Sequence, residues 1–544
     1  QKRMLTMELK NLSSGISPTS NKMEKKTLLL IDLSTNFSLV EKNKEYIYLN
    51  KGNINLINCR QIKLKNFMNL RKKVFANMIK EFKKFVLRNE ESKHFLSEME
   101  IFNLRNDRYE FPDRILNCLI IKKLILKKGF KKINIISDNK FTLKIFDNLD
   151  VNIEKKDLSK KTLKLNFPNL KIIKFLFKSM VITFYCKFLR LNKKNERQKK
   201  TFYLSLFPNK YLYGKENFFE KEENICNFLM SDETHLGFNL RKLFYFAKVT
   251  NDKNIINIEQ YIYISDILLL LLKHLSYIFT LKKLKKIEID IDGLDFKDEL
   301  NNIYISSYVN RSKLEIYSKA IPRFLKKNKV SNFKLYLFEY SFGHYLIRSI
   351  KEFSSKIKIS GYQHGLFSNN LMWFDLIKSL KFKKKYTPHD IYCLNRYCLK
   401  DYKLKYKNIK ISIIRFKKDR KNFSFINGIK IKKKSNSILI LSGLHDVRDL
   451  YFYAKNSLNP NYKKIFYFKH HPKNKFNFVS DKKVKEIENF EHKSFSKVIV
   501  SQNSSLPFEF LSLKRDFSVI DFDYKQNYIS THLNKNKNIN FLKN

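Results

Sequence analysis

Three short stretches carry the side chains best suited to chemistry, and each closes an apolar run. In "FYFKHHP" the run ends at Lys469, His470, His471 and Pro472. Strand alternation puts Lys469 and His471 on one face and His470 on the other, where it packs. An ammonium beside an imidazole suits a phosphate, and Pro472 fixes the backbone that aims His471. In "VIVSQNSSLPFEF" the hydroxyls of Ser504 and Ser505 stand between a strand and a helical run. Hydroxyls and first-turn N–H groups there can hold phosphate oxygens, or simply cap the helix. Glu509, one turn beyond Ser505, is placed to accept from ribose hydroxyls or to serve as a first-turn acid. In "KIKISGYQHGLFSNN" the glycines Gly361 and Gly365 bracket Gln363 and His364, in a chain with only 11 glycines among 544 residues. They allow a tight turn and a close backbone approach to a ligand. His364, with an unperturbed pKa of about 6.5, can hydrogen-bond a donor or take a proton at neutral pH. The competing reading is a plain turn with a hydrogen-bonded histidine. Gly443 in "LILSGLHD" similarly follows a strand where backbone and ligand would pass closely.

The elements that must position these residues alternate between strand and helix patterns. Short apolar runs read as strands at 26–34, 131–139, 200–209, 285–296, 332–341, 389–395, 437–446, 463–474 and 496–505, and 114–129 has helical spacing up to a glycine. Such alternation predicts parallel sheets with helices on both faces. The polar, charged stretch 417–436 is the linker candidate. The expectation is an α/β protein of two Rossmann-like lobes: an extension over 1–22, disordered or non-native; an N-terminal lobe over 23–416 with helical insertions; and a C-terminal lobe over 437–544. Ligands of open parallel sheets sit at the carboxyl ends of strands, where the three stretches fall.

Composition narrows the partners. The formal charge is +58, from 109 basic and 51 acidic residues. That invites a polyanion, but the basic residues are spread along the chain, Lys, Asn and Ile abound as in AT-rich coding, and no zinc-finger or RNP-type pattern occurs. Nucleic acid is therefore set aside in favour of a phosphorylated donor or an anionic membrane surface. The six cysteines are scattered, as expected for reduced thiols. No secretory signal opens the chain, and Met23 reads as a start. The apolar segments 171–191 and 261–281 are broken by charges and fall short of a bilayer span. They read as buried helices, or as a basic amphipathic surface lying on anionic lipid. There is no P-loop motif.

Taken in order, "GYQHG", "FKHHP" and "SQNSSLPFEFL" resemble the nucleotide-sugar-dependent glycosyltransferases of the GT-B fold that build bacterial surface polysaccharides. The His-Pro and Ser-Ser pair is similar to that of bacterial sialyltransferases, Kdo transferases and teichoic-acid glycerophosphotransferases. The chain looks most like the surface carbohydrate biosynthesis proteins of O-antigen and capsule loci, over residues 200 to 520. Glu339 in "YLFEYSFGHYL" matches the first acid of that family's acidic motif, and the second acid falls on His344. "TPHDIYCLN" matches its proline-aspartate strand with one residue inserted, and "ISIIRFK" its arginine strand through Arg415. The resemblance implies a cytoplasmic enzyme, peripheral at the inner face of the membrane, that moves a sugar from a nucleotide donor to a glycan or lipid-linked acceptor. No cofactor or metal is expected. Such transfer needs a nucleotide pocket, charge relief on the departing phosphate, and a base for the acceptor hydroxyl. His364 and Glu339 take the catalytic roles; Lys469, His471, Ser504, Ser505, Glu509 and Gly443 hold the donor; Gln363, Gly361, Gly365 and Arg415 support. Asp290, Asp292 and Asp295 in "IDIDGLDF" are similar to the sialyltransferase acidic-glycine motif but also read as a turn. With His344 in place of an acid, a non-catalytic GT-B-like scaffold of a polysaccharide assembly complex is the alternative.

Overall fold

The computed structural model describes residues 27–33, 40–50, 55–90, 111–159, 168–191, 201–206, 224–229, 240–252, 255–273, 290–336, 338–363, 367–368, 371–372, 383–414, 425–456, 463–471, 482–490, 492–522, 524–525, 527–529 and 533–543. The fold is mixed α/β with parallel sheets. The chain divides into two compact units, residues 1–63 with 122–160, and residues 64–121 with 161–544.

The first unit is built on a five-stranded parallel sheet. Its spatial order runs 60–61, 45–50, 27–32, 132–137, 152–157. The earliest of these strands in the sequence, Thr27–Asp32, thus lies in the middle, and all six of its residues are buried. A strand flanked on both sides must be apolar throughout, which is why "TLLLID" shows no alternation.

The second unit contains two larger parallel sheets. The seven-stranded sheet runs 256–257, 224–228, 201–206, 332–336, 358–362, 390–393, 410–413. The six-stranded sheet runs 484–486, 465–469, 437–441, 497–500, 517–521, 539–543. Numbered within each sheet, the six-stranded one reads 3-2-1-4-5-6 and the seven-stranded one 3-2-1-4-5-6-7. This is the order of doubly wound nucleotide-binding sheets, in which the chain winds outward, returns to the first strand and winds the other way. The five-stranded sheet follows the same rule. Apolar residues from both sheets of the second unit, such as Phe333, Ile359, Leu439 and Val498, belong to one contiguous buried cluster.

"DIDGLDF", from Asp290, forms a tight antiparallel turn: Ile291 pairs with Leu294, with Asp292 and Gly293 both at positive φ, 54° and 72°. An Asp-Gly pair fits that conformation at small steric cost. Its acids serve local structure. Asp290 accepts from the Gly293 N–H (2.6 Å), Asp295 from the Lys297 N–H (2.8 Å), and Asp292 from Asn77 (2.8 Å). Among the described residues, no helix is long and apolar enough to cross a membrane.

Candidate functional site

In a doubly wound sheet the chain leaves strands 1 and 4 in opposite directions, opening a crevice beyond their carboxyl ends. In the six-stranded sheet those ends are Leu441 and Val500. The loops that follow them, 442–446 and 501–505, meet directly. Asp446, 4% exposed, accepts from the Ser501 hydroxyl (2.6 Å) and from the Gly443 N–H (3.0 Å). Burial pushes the Asp446 carboxyl up to about 6, outweighing the two hydrogen bonds that lower it. A titratable acid is thus held where such folds bind ligands.

Gly443 is packed against protein. A side chain there would run into the Ser501 hydroxyl and come within 2.9 Å of Asp446 Oδ1, so the glycine is required by the crossing of the two loops, and its N–H is taken by Asp446. The next strand, Ile465–Lys469, joins the same loops. Ser442 donates its N–H to the Lys469 carbonyl (3.1 Å), and the His471 N–H donates to the Ser442 hydroxyl (3.3 Å). Lys469 turns its ammonium to the Glu488 carbonyl (2.5 Å), near the Phe490 ring. His470 has a side chain only 5% exposed, with Nε2 3.7 Å from Glu486, whereas His471 is half-buried at the strand end.

The serine pair is half-buried. Ser504 donates to the Ser501 carbonyl (3.3 Å), and Ser505 to Glu509 Oε1 (2.9 Å). Ser505 sits at the start of the helix Leu506–Ser512 in helical conformation and makes no side-chain cap bond, so its hydroxyl is turned to Glu509 instead. Ahead of them, Gln502 fastens the loop. Its amide donates to the Ile520 carbonyl and accepts from the Tyr528 N–H (2.8 Å).

The seven-stranded sheet assembles differently at the same topological place. Glu339 follows its fourth strand, Asn332–Tyr336, and is 4% exposed. Tyr402, on the helix Arg396–Lys405, donates its hydroxyl to Glu339 Oε1. Burial, and then the charge of Glu339, push the Tyr402 phenol well up, so it stays a donor. Phe367 stacks on Tyr402 with centroids 3.7 Å apart and planes 9° from parallel. His344, on the helix Ser341–Phe353, is 2% exposed, and burial pushes its imidazole down to about 3, so it is neutral at physiological pH.

Gln363 is 1% exposed; its side-chain carbonyl accepts from the Leu394 N–H (2.9 Å) and its amide reaches Cys398 Sγ (3.2 Å). It locks the loop to the neighbouring strand. Gly361, expected in a turn facing a ligand, lies inside the strand Lys358–Tyr362. A Cβ there would fall 2.7 Å from Phe338 Cδ1 and 2.9 Å from Pro388 Cγ, so the close approach is made by two rings of the protein itself. His364, Gly365, Arg415 and Pro472 lie outside the described residues.

The structure therefore brings together Gly443, Lys469 and His471 through the loops around Ser442, and ties Ser504, Ser505 and Glu509 to the loop of Ser501. Glu339 and Gln363 sit just past the carboxyl ends of two interior strands of the seven-stranded sheet. Asp446, Ser501, Gln502 and Tyr402 are additions that sequence reasoning missed. The only signal for Asp446 was an acid three residues after a glycine at a strand end. Among the described residues, no three His, Cys, Asp or Glu side chains gather as a metal would need. No family model matches the chain, and no curated protein matches its sequence.

Proposed function

We propose that the protein is a GT-B-like glycosyltransferase of surface polysaccharide biosynthesis. In this reading it transfers a sugar from a nucleotide-activated donor to a glycan or lipid-linked acceptor, with the donor on the six-stranded sheet. The observation that carries it is the pair of parallel sheets in one unit, ordered 3-2-1-4-5-6 over their first six strands, each with a buried carboxylate just past a central strand. His471 and the Ser504 and Ser505 hydroxyls hold the phosphates, and Glu509 leaves Ser505 to accept from ribose. Lys469 adds positive charge there on leaving the Glu488 carbonyl. His364 works at the reacting centre, and Glu339, covered by Tyr402, orients it rather than meeting the acceptor itself.

The test is binding followed by turnover. CMP, UDP, GDP and CDP are screened for a rise in melting temperature, and the best is titrated by calorimetry. His471→Ala and the double change Ser504→Ala with Ser505→Ala should each weaken it by about ten- to a hundred-fold, the cost of charged or hydroxyl contacts to phosphate, while the nucleotide-free melting temperature holds. If no nucleotide binds, or these variants bind it unchanged, the donor site is wrong. His364→Ala should then cut turnover about a hundred-fold at unchanged nucleotide affinity.

A second reading, a non-catalytic scaffold of a polysaccharide assembly complex, is favoured by one observation: Glu339 and His344 are both almost fully buried, one bonded to a tyrosine and the other neutral. Nucleotide binding without turnover would select it.

A further inference from the structure

The helix Pro168–Leu191 has its buried face where expected, with Phe175, Ile182 and Cys186 in the core. Its opposite face should be polar and is apolar instead. Ile173 is 49% exposed, Phe177 56%, Phe184 54% and Phe188 60%. At about 100° per residue these four fall within an arc of roughly 60°, a single outward stripe. Solvated helices rarely turn three phenylalanines to water in one line.

The stripe continues onto its neighbours. Lys187 of the helix stands 5.3 Å over the ring of Tyr263, which is 51% exposed, and just beyond it the helical residues 264–273 expose Leu268, Leu269 and Leu272. The helix Leu240–Asp252, joined to the first through Tyr185 and Phe244 (centroids 4.7 Å apart), exposes Tyr245 at 63%. Arg241 and Lys248 share that outward face with Tyr245, at i−4 and i+3.

The charge around these side chains has one sign. On this helix Lys174, Lys187 and Arg190 lie outside the core, Lys178 is buried, and residues 168–191 contain no acid. Among the described acids nearby, Glu259 is fully buried, Asp266, 5% exposed, is paired with Arg323, and Glu315 is paired with Lys273 (2.9 Å). Large apolar side chains in a line, flanked by cations, on a helix too charged to span a bilayer, match the requirements of an anionic lipid surface. The rings enter the headgroup–acyl boundary while the cations meet lipid phosphates. A second copy of the chain would bring the same positive charge to this face and be repelled.

We propose that the face formed by the helices Pro168–Leu191 and Leu240–Asp252 with residues 263–272 docks on anionic lipid bilayers, Phe184 and Phe188 entering the interface. The proposal needs no nucleotide and stands apart from the glycosyl-transfer reading.

The test uses the full chain and two sets of vesicles, phosphatidylcholine alone and phosphatidylcholine with phosphatidylglycerol. The protein should sediment with the anionic vesicles and not the neutral ones, and salt should release it. Charge elsewhere on so basic a chain could also attract anionic lipid, so the deciding variant removes apolar surface only. Phe184→Gln with Phe188→Gln should keep the melting temperature, both rings being exposed, and lower the vesicle partition coefficient at least about tenfold. Wild-type protein remaining in the supernatant with anionic vesicles overturns the proposal. So does a double variant that binds them as well as wild type. A dimer in sedimentation equilibrium that the double variant dissociates would show that a second copy covers this face, and the lipid assignment would fall.

Discussion

The seven-stranded and six-stranded sheets have the same strand order and each buries a carboxylate just past a central strand, but they enclose it with different materials. Glu339 is met by the hydroxyl of Tyr402, itself stacked under Phe367. Asp446 is met by a serine hydroxyl and a glycine N–H, in a loop whose neighbours are Ser442, Ser504 and Ser505. Aromatic rings around an acid make a packed, rigid enclosure in which the acid has little alternative to its phenol partner. Small hydroxyl residues around an acid can exchange one partner for another at low cost. The topology supplies two equivalent places for a ligand, and the side chains make only one of them adaptable. In the reading proposed above, the adaptable one is the place for the donor.

The largest difference should come from truncating the two partners. Tyr402→Ala opens a cavity under Phe367 and takes the donor from Glu339, which should cost about 3–5 kcal/mol. Ser501→Ala removes one of the two bonds to Asp446, whose carboxyl can protonate in response, and should cost about 1–2 kcal/mol. Denaturant titration of both variants checks this. Equal losses would mean that the two acids are held alike.

Acidity sharpens the contrast, because the two sheets carry buried titrations of opposite sign. His344 has its folded pKa depressed to about 3. Its contribution to stability is whole above the unfolded value of about 6.5 and is lost as pH falls below that. Asp446 has its folded pKa raised to about 6 from 3.8, so ionising it in place costs stability, and that cost disappears as pH falls from about 6 toward 4. Asp446→Asn should therefore be more stable than wild type at pH 8, by about 1–3 kcal/mol, and show little advantage at pH 4. Thermal melts across this range measure both. An Asp446→Asn variant less stable than wild type at pH 8 would mean that the charge itself holds the two loops together.

The two glycines should differ from each other by the smallest margin. Gly361→Ala presses a methyl against Phe338 and Pro388, rings that cannot give way, for a cost of about 1–3 kcal/mol. Gly443→Ala meets mainly the Ser501 side chain and should cost about 1 kcal/mol. Combined with Ser501→Ala it should cost less than the two changes summed, since the obstructing hydroxyl is then gone. Strict additivity would place the strain elsewhere.

Much of this was legible locally. The strands ending at Asp32, Ser137, Tyr362, Cys393, Leu441, Lys469 and Val500 announce themselves as short apolar runs closed by polar residues, and an alternating pattern suffices to predict parallel sheets. What could not be read depends on which strands become neighbours. Asp446 meets Ser501, and Glu339 meets Tyr402, only because the sheet order brings distant segments side by side. Gly361 and Gly443 looked like ligand loops because scarcity marks a constraint without saying what presses on it; in both cases the protein's own side chains do. Residues 27–61 and 132–157 read as a stretch of the N-terminal lobe, since apolar runs carry no mark of the sheet they join; they build a third sheet, while residues 64–121 group with the second unit.

The strand order also governs how the chain can be made. In each sheet the first strand synthesised is central, so it must wait for a partner on its second edge until the chain has wound out and come back. For the six-stranded sheet the wait is short, from residues 437–441 to 497–500. For the seven-stranded sheet, residues 201–206 stay open on one edge until 332–336 have left the ribosome. At ~5–20 residues per second that is of the order of ten seconds. An apolar edge left open that long is a template for wrong pairing, and pairing so remote in sequence closes slowly. Expression yield should therefore respond most sharply to changes in the segment between residues 206 and 332, and slower translation after residue 206 should lengthen the time for which that edge is exposed.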